Sequence, residues 1–547
     1  MFVGELHDFQ IGGVERIVQR RQLLLAYDMG TGKTVVAIAA IEQLLGEGRI
    51  DSALIVVPAS LRWQWAARVA QFADVDRREI TLKGTALTVP SEEHCLVLDG
   101  HPAARMNQYR RISRRCPDYL IVSYETATSD WKELRKLAPD AIVLDEAQMI
   151  KNAGALRTKK IKRLTAPYRI GLTGTPMDNG NPEEIFSVME WVDAAVFGRW
   201  DLFDHCYVIR NKNRRPVGYD NLDVLYRTLS EAMERRTLAD PSVARTMPRV
   251  ERARVEVELD ARTRTLYARI ERDVERALEC AREEGASALD VEALYSGVHA
   301  RGTGSRALGA LAARMTCARL LLDHPQLLRI SAAKREDSDQ GGGSGYAAEL
   351  ARGGLLDDLD ETPKLDALTR CVAEQLADPR SKVIVFTRYR EMLTLLVKAL
   401  KNYNPVAFHG ELDASARAAA IARFNEPQCR AFISTDAGGV GLDLPMADCV
   451  INYDQAQGAG PARQRNTRHT RANSPHPRVR VVDLIARDTL DVHDAARLEA
   501  AHLVARASVD NSGARRAGRA TLGAHLDDAR KQRRAQDERA HPRTRAS

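Results

Sequence analysis

Two short segments carry the residue types of nucleotide hydrolysis. Residues 26–34 read Ala-Tyr-Asp-Met-Gly-Thr-Gly-Lys-Thr, and residues 142–148 read Ile-Val-Leu-Asp-Glu-Ala-Gln. A bound triphosphate needs backbone N–H donors, a cation, and a hydroxyl for its metal ion. Gly30 and Gly32 let the backbone approach phosphate oxygens with no Cβ in the way, with Met29 and Thr31 completing the turn. Lys33 is placed to reach the β- and γ-phosphates, and the Thr34 hydroxyl to ligate Mg²⁺. Asp145, closing an apolar run, is the second candidate for the metal. Glu146 is the candidate to polarise the attacking water. Tyr27 stands where the strict phosphate-loop pattern has a leading glycine, so the loop is read together with its carboxylate partner.

Strands must hold these groups. Short apolar runs recur at Leu23–Ala26, Leu54–Val57, Leu120–Val122, Ile142–Leu144 and Ile170–Leu172, then at Val383–Phe386, Ala431–Ile433 and Val450–Ile451. Runs of this length suit strands buried on both faces of a parallel sheet. Helical patterns such as Thr34–Leu45 and Met392–Leu400 alternate with them, which predicts two doubly wound α/β domains. Lys33, Asp145, Thr173, Thr387 and Asp436 each follow an apolar run, where such sheets place their ligand-binding loops. The first domain is expected over residues 1–182 and the second over 361–495. Residues 183–333 turn charged and helical, with Leu266–Glu284 and Leu308–Leu322 prominent, and predict a helical insertion between the two. A flexible linker is expected at 334–360 and a basic, disordered tail at 496–547.

Composition narrows the partners. The net charge of +7 permits a polyanion without requiring one. Eight scattered cysteines with no Cys-x-x-Cys pair argue for buried thiols in a reducing, intracellular compartment rather than a metal cage or disulfide framework. The N-terminal residues lack an apolar signal core, and runs such as Val35–Ile41 are far too short to span a bilayer, so no membrane partner is expected.

The order of segments resembles helicase superfamily two, and more closely the Swi/Snf-type double-stranded DNA translocases, over roughly residues 1–495. Leu6-His7-Asp8-Phe9-Gln10 resembles the family's entry motif, in which the glutamine reads adenine. Asp28–Thr34 is similar to its ATP loop, which also lacks the leading glycine. Ile55–Leu61 with Trp65 is similar to a DNA-facing segment, and Asp145-Glu146-Ala147-Gln148 with Ile150-Lys151-Asn152 to the catalytic box. Leu172-Thr173-Gly174-Thr175-Pro176 resembles the motif coupling hydrolysis to movement. Arg235-Arg236-Thr237, His324-Pro325, His409-Gly410, the run 437–444 and Asp488-Thr489-Leu490-Asp491 resemble later landmarks.

The resemblance implies an α/β fold of two RecA-like parallel-sheet lobes with a helical insertion, ATP and Mg²⁺ in the cleft, and duplex DNA as the track. It adds Gln10, Gly441 and Asp443 to the nucleotide-binding set, although the family usually has Asn where Asp443 stands. Gln464-Arg465-Asn466-Thr467-Arg468-His469-Thr470-Arg471 keeps the family's spacing of Gln and two arginines, so Arg468 and Arg471 are the candidates to stabilise γ-phosphate charge from the second lobe. Thr467 replaces a usual Gly, Ala472-Asn473-Ser474 a usual Ile-Gly-Gln, and Gln457-Gly458-Ala459 a usual Trp-Asn-Pro. Lys151, Lys159, Lys160 and Arg163 are candidate phosphate contacts. The expected protein is a monomeric, ATP-driven DNA translocase, with other DNA-processing proteins as candidate partners. Its rivals are a strand-separating DNA or RNA helicase of the same superfamily and a catalytically weak DNA-binding scaffold.

Overall fold

The computed structural model describes residues 1–82, 85–112, 116–177, 179–210, 212, 214, 216–286, 291, 294, 306–336, 343–359, 362–436, 443–471, 474–510 and 517–518. The eight apolar runs named above are all strands. Seven strands build the first sheet: β1 (Gln22–Tyr27), β2 (Ala53–Val57), β3 (Cys95–Val97), β4 (Tyr119–Ser123), β5 (Ala141–Asp145), β6 (Tyr168–Leu172) and β7 (Met233–Arg236). Their order is β7-β1-β6-β5-β2-β4-β3, and every neighbouring pair is parallel. Alternate residues feed opposite cores. Leu23, Leu25 and Tyr27 of β1 pack on one face, Leu24 and Ala26 on the other. Both faces are covered by helices, which is why the runs are continuously apolar.

The second sheet has six parallel strands: β8 (Arg249–Val257), β9 (Val383–Thr387), β10 (Val406–Phe408), β11 (Ala431–Thr435), β12 (Cys449–Asn452) and β13 (Arg478–Ala486), ordered β8-β13-β12-β9-β11-β10. Val383 and Val385 enter one core, Ile384 and Phe386 the other. The chain is therefore α/β with two parallel-sheet lobes. Among the described residues, no helix is long and apolar enough to cross a membrane.

Three sequence boundaries move. The expected insertion at 183–333 is not a separate unit. Its first part ends in β7, at the edge of the first sheet, and residues 249–257 form β8, an edge strand of the second sheet. The sequence of β8, Arg-Val-Glu-Arg-Ala-Arg-Val-Glu-Val, is masked by charges because an edge strand has a face toward water. The helices Ala261–Glu283 and Arg306–Asp323 pack into the core of the second lobe. Within the stretch expected to be a linker, Gly345–Arg352 is a helix whose Tyr346, Ala347, Ala348 and Leu350 are buried. The helix Leu490–Val509 runs well into the expected tail, and Ala517–Gly518 pairs with Pro216–Tyr219. A tail rich in arginine overall hid the small apolar stripe that buries this helix.

Candidate functional site

Sheet order gathers the chemistry. β6 lies between β1 and β5, so the loop after β6 sits between the loop after β1 and Asp145. The first of these loops enters the helix Lys33–Gly46 through Gly32, in the left-handed region at φ 82°, and Gly30 is there too at φ 83°. A Cβ on Gly32 would lie 2.5 Å from Gln10 Nε2, so any side chain there would displace the end of Gln10, while the positive φ is what calls for glycine. Gln10 binds at both ends. Its Nε2 donates to Thr31 O at 3.0 Å, and its Oε1 accepts from His7 N at 2.9 Å. Tyr27 anchors the helix Asp8–Arg20, which carries Gln10, its hydroxyl donating to Phe9 O at 2.9 Å. The residue that departs from the strict phosphate-loop pattern thus fastens the segment that carries Gln10 to β1.

Lys33 Nζ donates to the carbonyls of Tyr27 and Asp28 at 2.9 and 3.1 Å. Burial pulls its pKa down, against the pull of Glu146, Asp145 and Asp28. Asp145 ends β5. Its Oδ2 accepts from Trp65 Nε1 at 2.7 Å and its Oδ1 from Glu146 N at 3.0 Å. Burial, reinforced by the Glu146 charge, pushes the Asp145 carboxyl up to about 6. Glu146 is itself in the left-handed region at φ 54°, a conformation costly for a non-glycine residue. A relay follows. Gln148 Nε2 donates to Glu146 Oε2 at 2.5 Å, and Gln148 Oε1 accepts from Thr173 Oγ1 at 2.6 Å. It joins the carboxylate segment to the loop after β6, and no local sequence pattern announces it.

The second lobe closes the site. Gln10, Met29, Gly30, Thr31, Gly32, Lys33, Thr34, Asp145 and Glu146 share one cavity of about 490 Å³ with Asp443, Arg468 and Arg471. Its volume suits a small-molecule ligand. A Cβ on Gly30 would lie 2.4 Å from Thr470 O, which measures how tightly the arginine segment covers the loop. Thr467, in place of a glycine, donates its hydroxyl to Arg463 O at 2.9 Å and lies 3.2 Å from Met29 Sδ. Arg468 is buried, and burial with the neighbouring Arg471 charge lowers its pKa to about 10 against the attraction of Glu146. Arg471 Nε donates to Asp443 Oδ1 at 2.6 Å, and its Nη1 to Thr467 O at 2.6 Å and Thr470 O at 2.9 Å. Arg471 in turn holds the Asp443 carboxyl below the usual range against burial. Gly441 lies outside the described residues.

Residues that the sequence did not single out also line the cavity. They include Arg68, Gln71, and Thr246 with Met247 from the segment that crosses between the lobes. Arg463 reaches across the cleft, its Nη1 donating to Gly174 O at 3.4 Å. Arg465, inside the same motif, is turned away from the cavity. It bonds Asp436 Oδ2 at 3.0 Å and Asp454 O at 2.7 Å, bracing the second lobe from within.

Residues 9–302 match the SNF2-related domain, and residues 363–473 the helicase conserved C-terminal domain. The chain belongs to the SNF2-related family. It is 24% identical to the CHD3-type chromatin-remodeling factor PICKLE of Arabidopsis thaliana, over 82% of this chain and 30% of that protein. It is 25% identical to the putative ATP-dependent helicase/translocase YwqA of Bacillus subtilis, over 83% of this chain and 43% of that one. The chain thus spans less than half the length of these curated relatives. Among solved structures it is similar to the Sulfolobus solfataricus SWI2/SNF2 ATPase core in complex with dsDNA, with 20% identity, a TM-score of 0.41, and coverage of 93% of this chain and 98% of that one. The helicase-type C-terminal match of this SNF2-related chain ends at residue 473, just beyond Arg471.

Proposed function

We propose that the chain is an ATP-driven translocase on double-stranded DNA. One observation carries the reading: Lys33, Asp145 and Glu146 from the first lobe and Arg468 and Arg471 from the second line a single cavity. Phosphoryl transfer to water asks for little covalent chemistry and much positioning of charge, and these residues supply it. Lys33 and the N–H groups of residues 30–34 would hold the phosphates at a helix N-terminus. The Thr34 hydroxyl and the Asp145 carboxylate form a hard oxygen donor set that fits Mg²⁺. When bound, Mg²⁺ neutralises phosphate charge. Glu146, aimed by Gln148, would orient and polarise the water. Arg468 and Arg471 would face the charge that grows on the γ-phosphate oxygens.

Because the two halves of the site lie on different lobes, hydrolysis at the cavity changes what holds the lobes together. Repeated closing and opening along DNA converts that change into movement. Family membership supports duplex DNA as the track, and Lys151, Lys159, Lys160 and Arg163 are the proposed phosphate contacts on the first lobe.

The test is the ATPase rate with no nucleic acid, single-stranded DNA, duplex DNA and RNA, beside a Lys33→Ala control. Strong stimulation by duplex DNA that disappears in the control is expected. Equal rates with and without DNA would sink the reading. A forked substrate separates translocation from unwinding: strand separation that keeps pace with ATP turnover favours the helicase alternative. DNA binding without turnover favours the scaffold.

A further inference from the structure

The helix Leu490–Val509 belongs to both lobes. Its first turns are held in the second. Lys364 Nζ donates to Asp491 Oδ2 at 2.8 Å and to Asp323 Oδ1 at 2.9 Å, and Arg319 grips Asp494 through bonds of 2.8 and 3.0 Å. Its last turns are buried in the first lobe. Val504, Ala505, Ala507 and Val509 share a core with Leu222, Leu225 and Leu229. Gly180 of the first lobe sits so near that a Cβ there would lie 2.4 Å from Ala501 O.

Asp510, just past the helix, accepts a hydrogen bond from Arg235 Nε at 2.7 Å. Arg235, on β7, also donates Nη1 to Ala26 O at 2.7 Å and sets Nη2 2.8 Å from Asp28 Oδ1. Asp28 is the residue on which the phosphate loop is hung. Its carbonyl accepts from Thr31 Oγ1 at 2.7 Å and from Lys33 Nζ at 3.1 Å, while its carboxylate Oδ2 accepts from Leu238 N at 3.0 Å. A continuous set of charged contacts therefore leads from the end of a helix seated in the second lobe to the base of the loop that carries Lys33. Arg235 is deeply buried, and the two carboxylates on either side hold it protonated despite that burial. Such a buried link is sensitive to the loss of either acid.

We infer that Asp510 and Arg235 are positioning residues for the phosphate loop. Asp510 makes the set of that loop depend on how the helix from the second lobe is seated. The inference rests on the proposal that ATP occupies this loop, and it adds a connection between the lobes that runs through Asp510 and Arg235 rather than through Arg468 and Arg471. The helix is a strap whose far end reports to the nucleotide site.

The experiment compares the wild-type chain, Asp510→Ala and Asp510→Glu. Without nucleotide, amide exchange across residues 28–34 is expected to rise by about tenfold in D510A and to return toward wild type in D510E. With saturating duplex DNA, the KM for ATP is expected to rise about five- to tenfold in D510A while kcat stays within about twofold. A merely structural helix end would not produce this split or its rescue by glutamate. Exchange and KM both within twofold of wild type would overturn the inference. So would faster exchange in the helix alone with the loop still protected. If D510A does not fold, Asp510→Asn keeps the shape, removes the charge and gives the same comparison. A wild type that neither binds nor hydrolyses ATP would overturn the proposed function, whereas the exchange measurement still decides the link from Asp510 to the loop.

Discussion

Arg471 is tied to Asp443: its Nε donates to Asp443 Oδ1 at 2.6 Å, within the cavity that also holds Lys33 and Glu146. A carboxylate therefore faces the guanidinium proposed to meet phosphate charge, at a position where Swi/Snf-type chains usually carry Asn. A neutral amide keeps a hydrogen-bond acceptor but leaves the positive charge of Arg471 uncancelled. Asp443→Asn is expected to raise kcat for DNA-stimulated hydrolysis by about three- to tenfold, a fraction of what a full arginine contact contributes. Steady-state kinetics at saturating ATP and DNA read this directly. A fall below wild type would mean that the carboxylate aims Arg471 instead of restraining it.

Arg468 and Arg471 separate by their partners. Arg468 is buried with its pKa lowered, and the attraction of Glu146 is among the influences that oppose the shift. Arg468→Ala is expected to lower kcat by about a thousandfold and Arg471→Ala by about a hundredfold, with nucleotide binding changed far less. Arg465→Ala provides the contrast. Its side chain braces Asp436 and Asp454 away from the cavity, so its loss is expected to lower the Tm rather than act selectively on kcat. Single-turnover hydrolysis with thermal unfolding distinguishes the two patterns. A selective kcat loss in R465A with an unchanged Tm would contradict this division of roles.

The relay from Thr173 through Gln148 to Glu146 predicts a kcat effect without a binding effect. Removing the Thr173 hydroxyl leaves Gln148 Oε1 without that donor and frees the amide that holds Glu146. Thr173→Val, nearly the same volume, is expected to reduce kcat by about tenfold with KM for ATP unchanged. A matching loss of ATP affinity would show that Thr173 shapes the binding cavity instead.

The sequence made the two sheets and the first-lobe loops legible for a physical reason. Strands such as β1 and β5 are buried on both faces, so their composition alone marks them, and the residues that follow them fall at one edge of the sheet. Edge strand β8 was hidden because Glu251, Arg252 and Arg254 break its apolar run. The helix Leu490–Val509 was cut short because the buried residues of its last turns, Val504, Ala505, Ala507, Ser508 and Val509, are small and stand beside Arg506 in an arginine-rich stretch. The contacts that join distant segments were least visible. Asp510 meets Arg235, and through it Asp28, only once two sheets and a bridging helix are assembled, and Arg463 meets Gly174 in the same way.

His469 sits between the two cavity arginines and is fully buried. Burial is the main cause of its pKa falling from 6.5 to about 3; Arg471, His476 and Arg252 push the same way, and the Arg480 backbone opposes them. The unfolded chain takes up a proton near pH 6.5 that the folded chain refuses until about pH 3. Between those values the unfolded state binds more protons, so stability present above pH 6.5 is lost as the pH falls. From pH 6.5 to 5 the loss from this group is on the order of 2 kcal/mol. His502, lowered to about 4 by burial and by Arg463, Arg252 and Arg506, adds a loss of the same sign. Leucine at 469 cannot take up the proton in either state. His469→Leu is therefore expected to lose less stability than wild type between pH 7 and 5, whatever its stability at pH 7. Denaturant unfolding at the two pH values gives the comparison, and equal losses in the two proteins would show that His469 is not the group that titrates.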